Sequence, residues 1–389
     1  MTPRIALVTH STKPRGGAVH TLGLAEALFD LGADVTVVAL GDPAAGFFRP
    51  VKAPCVILPA VTGAESLEEK VFRSVDSLAA GLSSMAGDFD LFHTQDCIAA
   101  RAAVRVGGAP VLRTVHHVDD FTTPALIDCQ RQAILEPDRV LVVSRHWQEL
   151  LRDGYGVDTD VVYNGVDGDR FGPVSPEIRA ALRRRVGVDD DRFVFLAVGG
   201  IEPRKGSVHL LAALAVLASS TGLEPRPVLV VVGGHSFQDY AAYRDAALAG
   251  LPALGLELGR DVVLLGTVPD DELAAWYGAA DALAFPSLKE GWGLAVLEAM
   301  SAGLPVVATD IPVFREYLTD GRDALLVPPA DVDRLAEAMA AMMADEALRR
   351  RLAAGGREVA ARFTWEATAR RHLEIYDEMT PARHPRRAC

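Results

Sequence analysis

Residues 281–300 read DALAFPSLKEGWGLAVLEAM. The apolar run Asp281–Phe285 has the length of a strand, the following polar loop carries Gly291 and Gly293, and a helix opens from Leu294. The run is continuously apolar rather than alternating, the pattern of a parallel strand covered on both faces. The same succession of short apolar run and amphipathic helix recurs along the chain. Candidate strands fall at Arg4–Thr9, Asp34–Leu40, Cys55–Leu58, Asp90–Thr94, Pro110–Val115 and Arg139–Val143. They resume at Phe193–Val198, Pro227–Val232, Asp261–Leu265, Asp281–Phe285, Leu304–Ala308 and Asp323–Val327. Such alternation predicts a doubly wound α/β fold.

A length of 389 residues predicts more than one domain. The two sets of strands are separated by a stretch, 171–191, holding Gly172-Pro173, Ser175-Pro176, Arg183-Arg184-Arg185 and Asp189-Asp190-Asp191. We read it as a hinge between two Rossmann-like domains, 1–172 and 173–363, facing across a cleft. A last helix within 364–380 is expected to pack back toward the first domain, and the Pro/Arg-rich tail 381–389 to be disordered. Ligands of open α/β sheets sit beyond the carboxyl ends of the strands, so the chemistry is sought in those loops.

Half of the residues are hydrophobic and 23% are charged, which excludes a disordered chain. The net charge of −13, with no basic excess in either half, excludes a polynucleotide partner held through its phosphates. The four cysteines form no CxxC and no cluster with histidine, so neither a disulfide framework nor a metal site is expected. The chain starts with an apolar strand-like run rather than a signal peptide, and no apolar stretch is long enough for a bilayer. The expectation is a cytoplasmic protein. Weak contact with the inner membrane surface stays open, since Arg383, Arg386 and Arg387 are marginal for anchoring.

Four groups of residues carry candidate chemistry. The loop after the first strand ends in Gly16-Gly17 and opens a helix, which allows a ligand close to the backbone; an ordinary strand–helix turn reads the same way. Glu202-Pro203-Arg204-Lys205 follows the first strand of the second half, and two cations at a helix start suit a diphosphate. Glu290 lies in the loop quoted above and Glu298 about two turns into its helix, so two carboxylates can address different ends of one ligand, with helix N–H groups between them. His93 and His116 end predicted strands, where an imidazole points at the cleft and serves as acid, base or donor.

Together these motifs resemble the retaining glycosyltransferases of family 4, with GT-B architecture, and the resemblance spans the whole chain. Its most specific part is Lys289 to Met300 with Glu290 and Glu298. It continues through Ala302-Gly303-Leu304-Pro305 and Asp320-Gly321. Val162 to Asp167, ending at Phe171, resembles the interdomain motif, and Thr114-Val115-His116 an N-domain element. The resemblance implies that Arg204 and Lys205 bind the donor diphosphate. Glu290 and the N–H groups of Gly291, Trp292 and Gly293 would hold the transferred sugar. Those of Leu294 and Ala295 would meet phosphate, and Glu298 the ribose. Val268 would lie near the base, the Gly16-Gly17 loop would help bind the donor, and His116 would stand near the reacting centre. It implies front-face transfer with retention, no metal and no cofactor, from a nucleotide diphosphate sugar to a small-molecule, glycan or lipid-linked acceptor. Two departures stand out: Gly200 where arginine is common, and Trp292 where phenylalanine is usual, whose width is expected to alter the sugar pocket. A nucleotide-sugar epimerase or hydrolase, or a non-catalytic nucleotide-sugar sensor, would share this architecture.

Overall fold

The computed structural model describes residues 2–64, 66–219, 225–234 and 240–380; the expected tail 381–389 lies outside the described residues. The chain forms two compact units, Met1–Gly165 together with the chain from Trp365 onward, and Val166–Thr364.

The first unit holds strands β1 (Arg4–Thr9), β2 (Asp34–Gly41), β3 (Cys55–Pro59), β4 (Leu91–Thr94), β5 (Val111–Val115), β6 (Arg139–Val142) and β7 (Asp160–Val161). Helices α1 (Gly16–Asp30), α2 (Leu67–Ser84), α3 (Cys97–Val106), α4 (Pro124–Leu135) and α5 (Arg145–Tyr155) connect them. The sheet is parallel throughout, in the order β3-β2-β1-β4-β5-β6-β7. The second unit holds α6 (Pro176–Arg185), β8 (Val194–Val198), α7 (Ser207–Ser219), β9 (Val228–Val232), α8 (Ala241–Ala249), β10 (Val262–Gly266) and α9 (Asp270–Ala279). It continues through β11 (Ala282–Phe285), α10 (Leu294–Ala302), β12 (Val306–Thr309), α11 (Pro312–Arg315), β13 (Leu325–Val327), α12 (Val332–Ala344) and α13 (Glu346–Ala360). Its parallel sheet runs β10-β9-β8-β11-β12-β13. Both sheets therefore place the first and fourth strands side by side, β1 with β4 and β8 with β11. There the chain reverses its winding direction and opens a crevice at the strands' carboxyl ends.

The final helix, α14 (Trp365–Met379), belongs to the first unit although it ends the chain. Its buried face is Thr368, Ala369, His372, Ile375 and Tyr376, the three-to-four spacing of one helical stripe. Ile375 and Tyr376 enter the core made by Ile5, Leu7, Leu22 and Leu112. Burial of each such side chain stabilises the docked helix by roughly 1.5–3 kcal/mol.

The structure moves the domain boundary. It falls after Gly165 rather than after 172. Val166 N–H donates to Phe363 O at 3.0 Å and bridges to Thr364, and Phe171 is buried with its ring edge-on to Tyr277 at 5.4 Å. The expected hinge 171–191 is likewise part of the second unit. Its helix α6 packs on α9, and Arg183 is only 1% exposed. The guanidinium of Arg183 donates to Ala279 O, Arg192 O and Asp281 Oδ2, so a charge run that reads as solvated is buried at its first member. No helix among the described residues is long and apolar enough to cross a membrane.

Candidate functional site

In the second unit the loops after β8 and β11 are tied together: Leu288 N–H donates to Arg204 O at 2.7 Å. This places the cation pair against the first carboxylate. Lys205 Nζ stands 2.7 Å from Glu290 Oε1, and Arg204 Nη1 is 3.5 Å from the same oxygen. Arg204 Nε is also 3.0 Å from Glu202 Oε2. The Lys205 ammonium lies over the Phe285 ring, 4.4 Å from its centroid. Burial pushes the Lys205 pKa down, outweighing the opposing charge of Glu290. Burial also works against the Glu290 carboxylate, but the charges of Lys205 and Arg204 outweigh it and hold its pKa below the usual range. Val198, Gly200, Lys205, Ser207, Phe285 and Pro286 are among the residues lining a hollow at the end of β8. Gly200 is required by this packing: a Cβ there would fall 2.7 Å from Gly234 O and 3.0 Å from Glu202 Oε1.

The second carboxylate sits on α10. Gly293 caps this helix with φ 91°, a left-handed conformation that favours glycine, and no side chain caps its N–H groups. Leu294 and Ala295 occupy the first turn, so their N–H groups lie at the positive end of the helix. Glu298 is 8% exposed, and its Oε2 accepts the Tyr277 hydroxyl at 2.6 Å. Burial raises the Glu298 pKa against the pull of that hydrogen bond and of Arg170, and it raises the Tyr277 hydroxyl's pKa still more strongly. Val268 is half-buried between β10 and α9.

Trp292 follows Gly291 in the same loop. Its indole is buried, 4.7 Å from the Tyr317 ring and 5.2 Å from the Phe363 ring, while Tyr317 Oη donates to Trp292 O at 2.9 Å. The wider side chain fills an aromatic cluster with Tyr317 and Phe363.

In the first unit Gly16 and Gly17 begin α1, whose first turn has no acidic residue and no side-chain cap. A Cβ on Gly17 would stand 3.9 Å from His116 Cδ2, so this loop and the end of β5 adjoin. His116 is half-buried; burial first, then His117 and Arg113, push its pKa down to about 3. His93, expected to point at a ligand, is instead wholly buried against Tyr376 Oη and Thr114 Oγ1. With four residues, β4 ends before its last side chains reach the surface. Tyr277 and Gln95, which contact Glu298 and His116, escape the sequence reading, because nothing in a helical tyrosine or a lone glutamine announces its partner. Among the described residues no group of three or more His, Cys, Asp or Glu side chains is placed to hold a metal ion.

Comparison with known proteins bears on the whole chain. The family model for Glycosyltransferase Family 4 matches residues 14–170, and that for Glycosyl transferases group 1 matches residues 178–359. A D-inositol 3-phosphate glycosyltransferase of Xylanimonas cellulosilytica is 33% identical over 322 residues, covering 77% of this chain and 74% of the relative. Its counterpart in Frankia alni is 33% identical over 325 residues, covering 78% and 77%. Among solved structures, sucrose-phosphate synthase of Thermosynechococcus elongatus superposes with a TM-score of 0.79 at 24% identity, covering 97% of this chain and 98% of that one. Anabaena HepE, solved in complex with UDP-glucose, gives 0.79 at 21% identity and covers 97% and 100%. These likenesses show the fold, two parallel-sheet α/β domains of GT-B type.

Proposed function

The chain belongs to glycosyltransferase family 4, and from that premise we propose that it transfers a sugar from a nucleotide diphosphate sugar with retention and without a metal ion. The observation that carries this reading is the Lys205–Glu290 contact of 2.7 Å, with Arg204 beside it and the uncapped start of α10 following in the same loop. A departing diphosphate needs positive charge fixed in place before the bond breaks, and cations with helix N–H groups supply it without reorganisation. Lys205 and Arg204 take the diphosphate, Glu290 and the Gly291–Gly293 backbone orient the sugar, and Glu298 accepts the ribose hydroxyls. The bond from the anomeric carbon to the diphosphate breaks as the acceptor oxygen attacks on the same face. The acceptor's proton passes to the leaving phosphate oxygen. His116 contacts substrate in the first unit, where the Gly16-Gly17 loop adjoins it, and Val268 lies near the base in the second. No cofactor takes part.

The acceptor is best sought among phosphorylated polyols. The relatives are named for D-inositol 3-phosphate, and in the first unit the positive charges of Arg15 and Lys13 lie near enough to Lys70 to lower its pKa, after burial. Such grouped cations suit a phosphate.

A panel of nucleotide sugars, assayed with and without D-inositol 3-phosphate, tests the reading. Expected are acceptor-dependent release of nucleotide, an anomer matching that of the donor, and turnover unchanged by EDTA. Lys205→Ala is expected to lose kcat by more than an order of magnitude. Donor consumption without acceptor would instead favour a hydrolase or epimerase, binding without turnover a sensor, and a Mg²⁺-restored loss in EDTA would overturn the role given to the cation pair.

A further inference from the structure

His116 ends a directed chain of hydrogen bonds that runs through the first unit. His93 Nδ1 lies 2.7 Å from Tyr376 Oη of α14, and His93 Nε2 lies 2.8 Å from Thr114 Oγ1 and 3.2 Å from Gln95 Nε2. The other end of the Gln95 amide, Oε1, stands 3.1 Å from His116 Nε2. An amide nitrogen only donates and an amide oxygen only accepts. With the Gln95 amide in this orientation, His93 Nε2 is a lone pair that accepts from Gln95 and Thr114, and His93 carries its proton on Nδ1 and donates it to Tyr376. At the far end His116 donates from Nε2 to Gln95 Oε1. A neutral imidazole has one N–H, so His116 Nδ1 is left as a lone pair.

We propose that Gln95, held by His93 and Tyr376, is a positioning residue that fixes His116 in the Nε2–H tautomer and presents its Nδ1 lone pair to a substrate hydroxyl. The substrate contact rests on the role given to His116 above; the tautomer does not. The surroundings keep the ring neutral. His20 of α1 meets it edge-on with centroids 4.6 Å apart, Arg113 and His117 come from β5 and its loop, and His372 comes from α14. Asp96, at the start of α3, favours the charged form and is outweighed. Substrate-facing Nδ1 thus accepts a hydrogen bond and has no proton to give. Through this chain α14, 283 residues beyond His93 at Tyr376, bears on the loop after β5.

Two-bond ¹H–¹⁵N correlation spectra of the substrate-free protein, labelled at the histidine ring nitrogens and assigned with His116→Gln, read the tautomer directly. Expected for His116 are a protonated Nε2 and an unprotonated Nδ1 from pH 5 to pH 8. Gln95→Leu and the isosteric Tyr376→Phe should shift both nitrogens toward a mixture, while Gln95→Glu, which keeps an acceptor, should preserve Nε2–H. In turnover, Gln95→Leu should lower kcat about tenfold with donor KM within about twofold, as loss of a reaction-specific contact requires, and Gln95→Glu should restore most of it. A wild-type His116 protonated on Nδ1, or nitrogen shifts unchanged in both Gln95→Leu and Tyr376→Phe, would overturn the proposal. The expected tautomers with an unaltered kcat in Gln95→Leu would leave the chain standing and refute the presentation of His116 to substrate.

Discussion

Lys205 and Glu290 have separate tasks in the sequence, one for the diphosphate and one for the sugar, yet the structure joins them in a contact of 2.7 Å. Each holds the other's charge in a buried place, so removing either changes both. Glu290→Gln keeps the shape and deletes the charge. Transfer should fall at least about a hundredfold as the sugar loses its carboxylate. Binding of the nucleoside diphosphate should hold or tighten, because the buried ammonium then finds its counter-charge in the ligand. The pH dependence carries the sign. Burial lowers the Lys205 pKa and Glu290 raises it, so without Glu290 it falls further. The alkaline loss of diphosphate binding, which follows deprotonation of Lys205, should therefore move to lower pH. Calorimetric titration across pH checks this, and an unmoved alkaline limb would show that the two groups are not coupled. The sequence made these two residues legible because lysine is rare here and the spacing from Glu290 to Glu298 is specific. It left Tyr277 invisible, since the partner of a buried carboxylate is decided by packing 21 positions away.

The strands were readable because burial on both faces leaves little but apolar side chains: β5, β9, β11 and β12 are buried at every position. β7 was not, since two half-buried residues leave no pattern. Nor was the place of α6, which is written in polar letters. It is fixed to α9 and the start of β11 by arginines: Arg183, whose donors satisfy Ala279 O, Arg192 O and Asp281 Oδ2, and Arg179, which donates to Ala280 O and Asp281 Oδ1. Asp281 Oδ2 also accepts Val194 N–H at 2.7 Å, so this cluster clamps the entry to β8. Arg183→Met would leave two carbonyls short of a buried donor while Asp281 keeps Arg179, and should cost about 2–4 kcal/mol in urea unfolding. Its exposed neighbour Arg184, changed to Met, should alter stability by no more than about 0.5 kcal/mol. Equal effects at the two positions would mean that Arg183 behaves as a solvated surface charge.

Two units with separate cores need not fail together, and their buried titratable groups differ in sign. The first unit encloses His20, His93 and His372, each wholly buried. Burial is the largest cause depressing all three, to about 4 for His372. In the unfolded chain they titrate near 6.5. Their stabilising contribution is thus complete above about pH 6.5 and is lost as pH falls; for His372 the loss runs between about pH 6.5 and about pH 4 and reaches about 2 kcal/mol at pH 5. Set against a total of about 5–15 kcal/mol for a typical domain, losses of this sign at three histidines weaken the unit as pH falls. In the second unit Glu298 and Asp323 move the other way: burial raises them, so they take up protons more readily folded than unfolded, while Glu290, held low by Lys205 and Arg204, loses its contribution only as pH falls through the ordinary carboxylate range, below about pH 5. The sequence pointed to two strand-end histidines but not to this enclosure, because His372 comes from α14 and joins the others only in the folded unit. Between pH 7 and pH 5, hydrogen-exchange mass spectrometry across a urea series should show the midpoint of residues 2–165 and α14 falling steeply, with that of 166–364 nearly fixed. A donor nucleotide at a hundred times its dissociation constant should add about 2.7 kcal/mol to the second unit. Midpoints that fall in step would mean that the histidines lose no stability on their own account and that the two cores unfold as one.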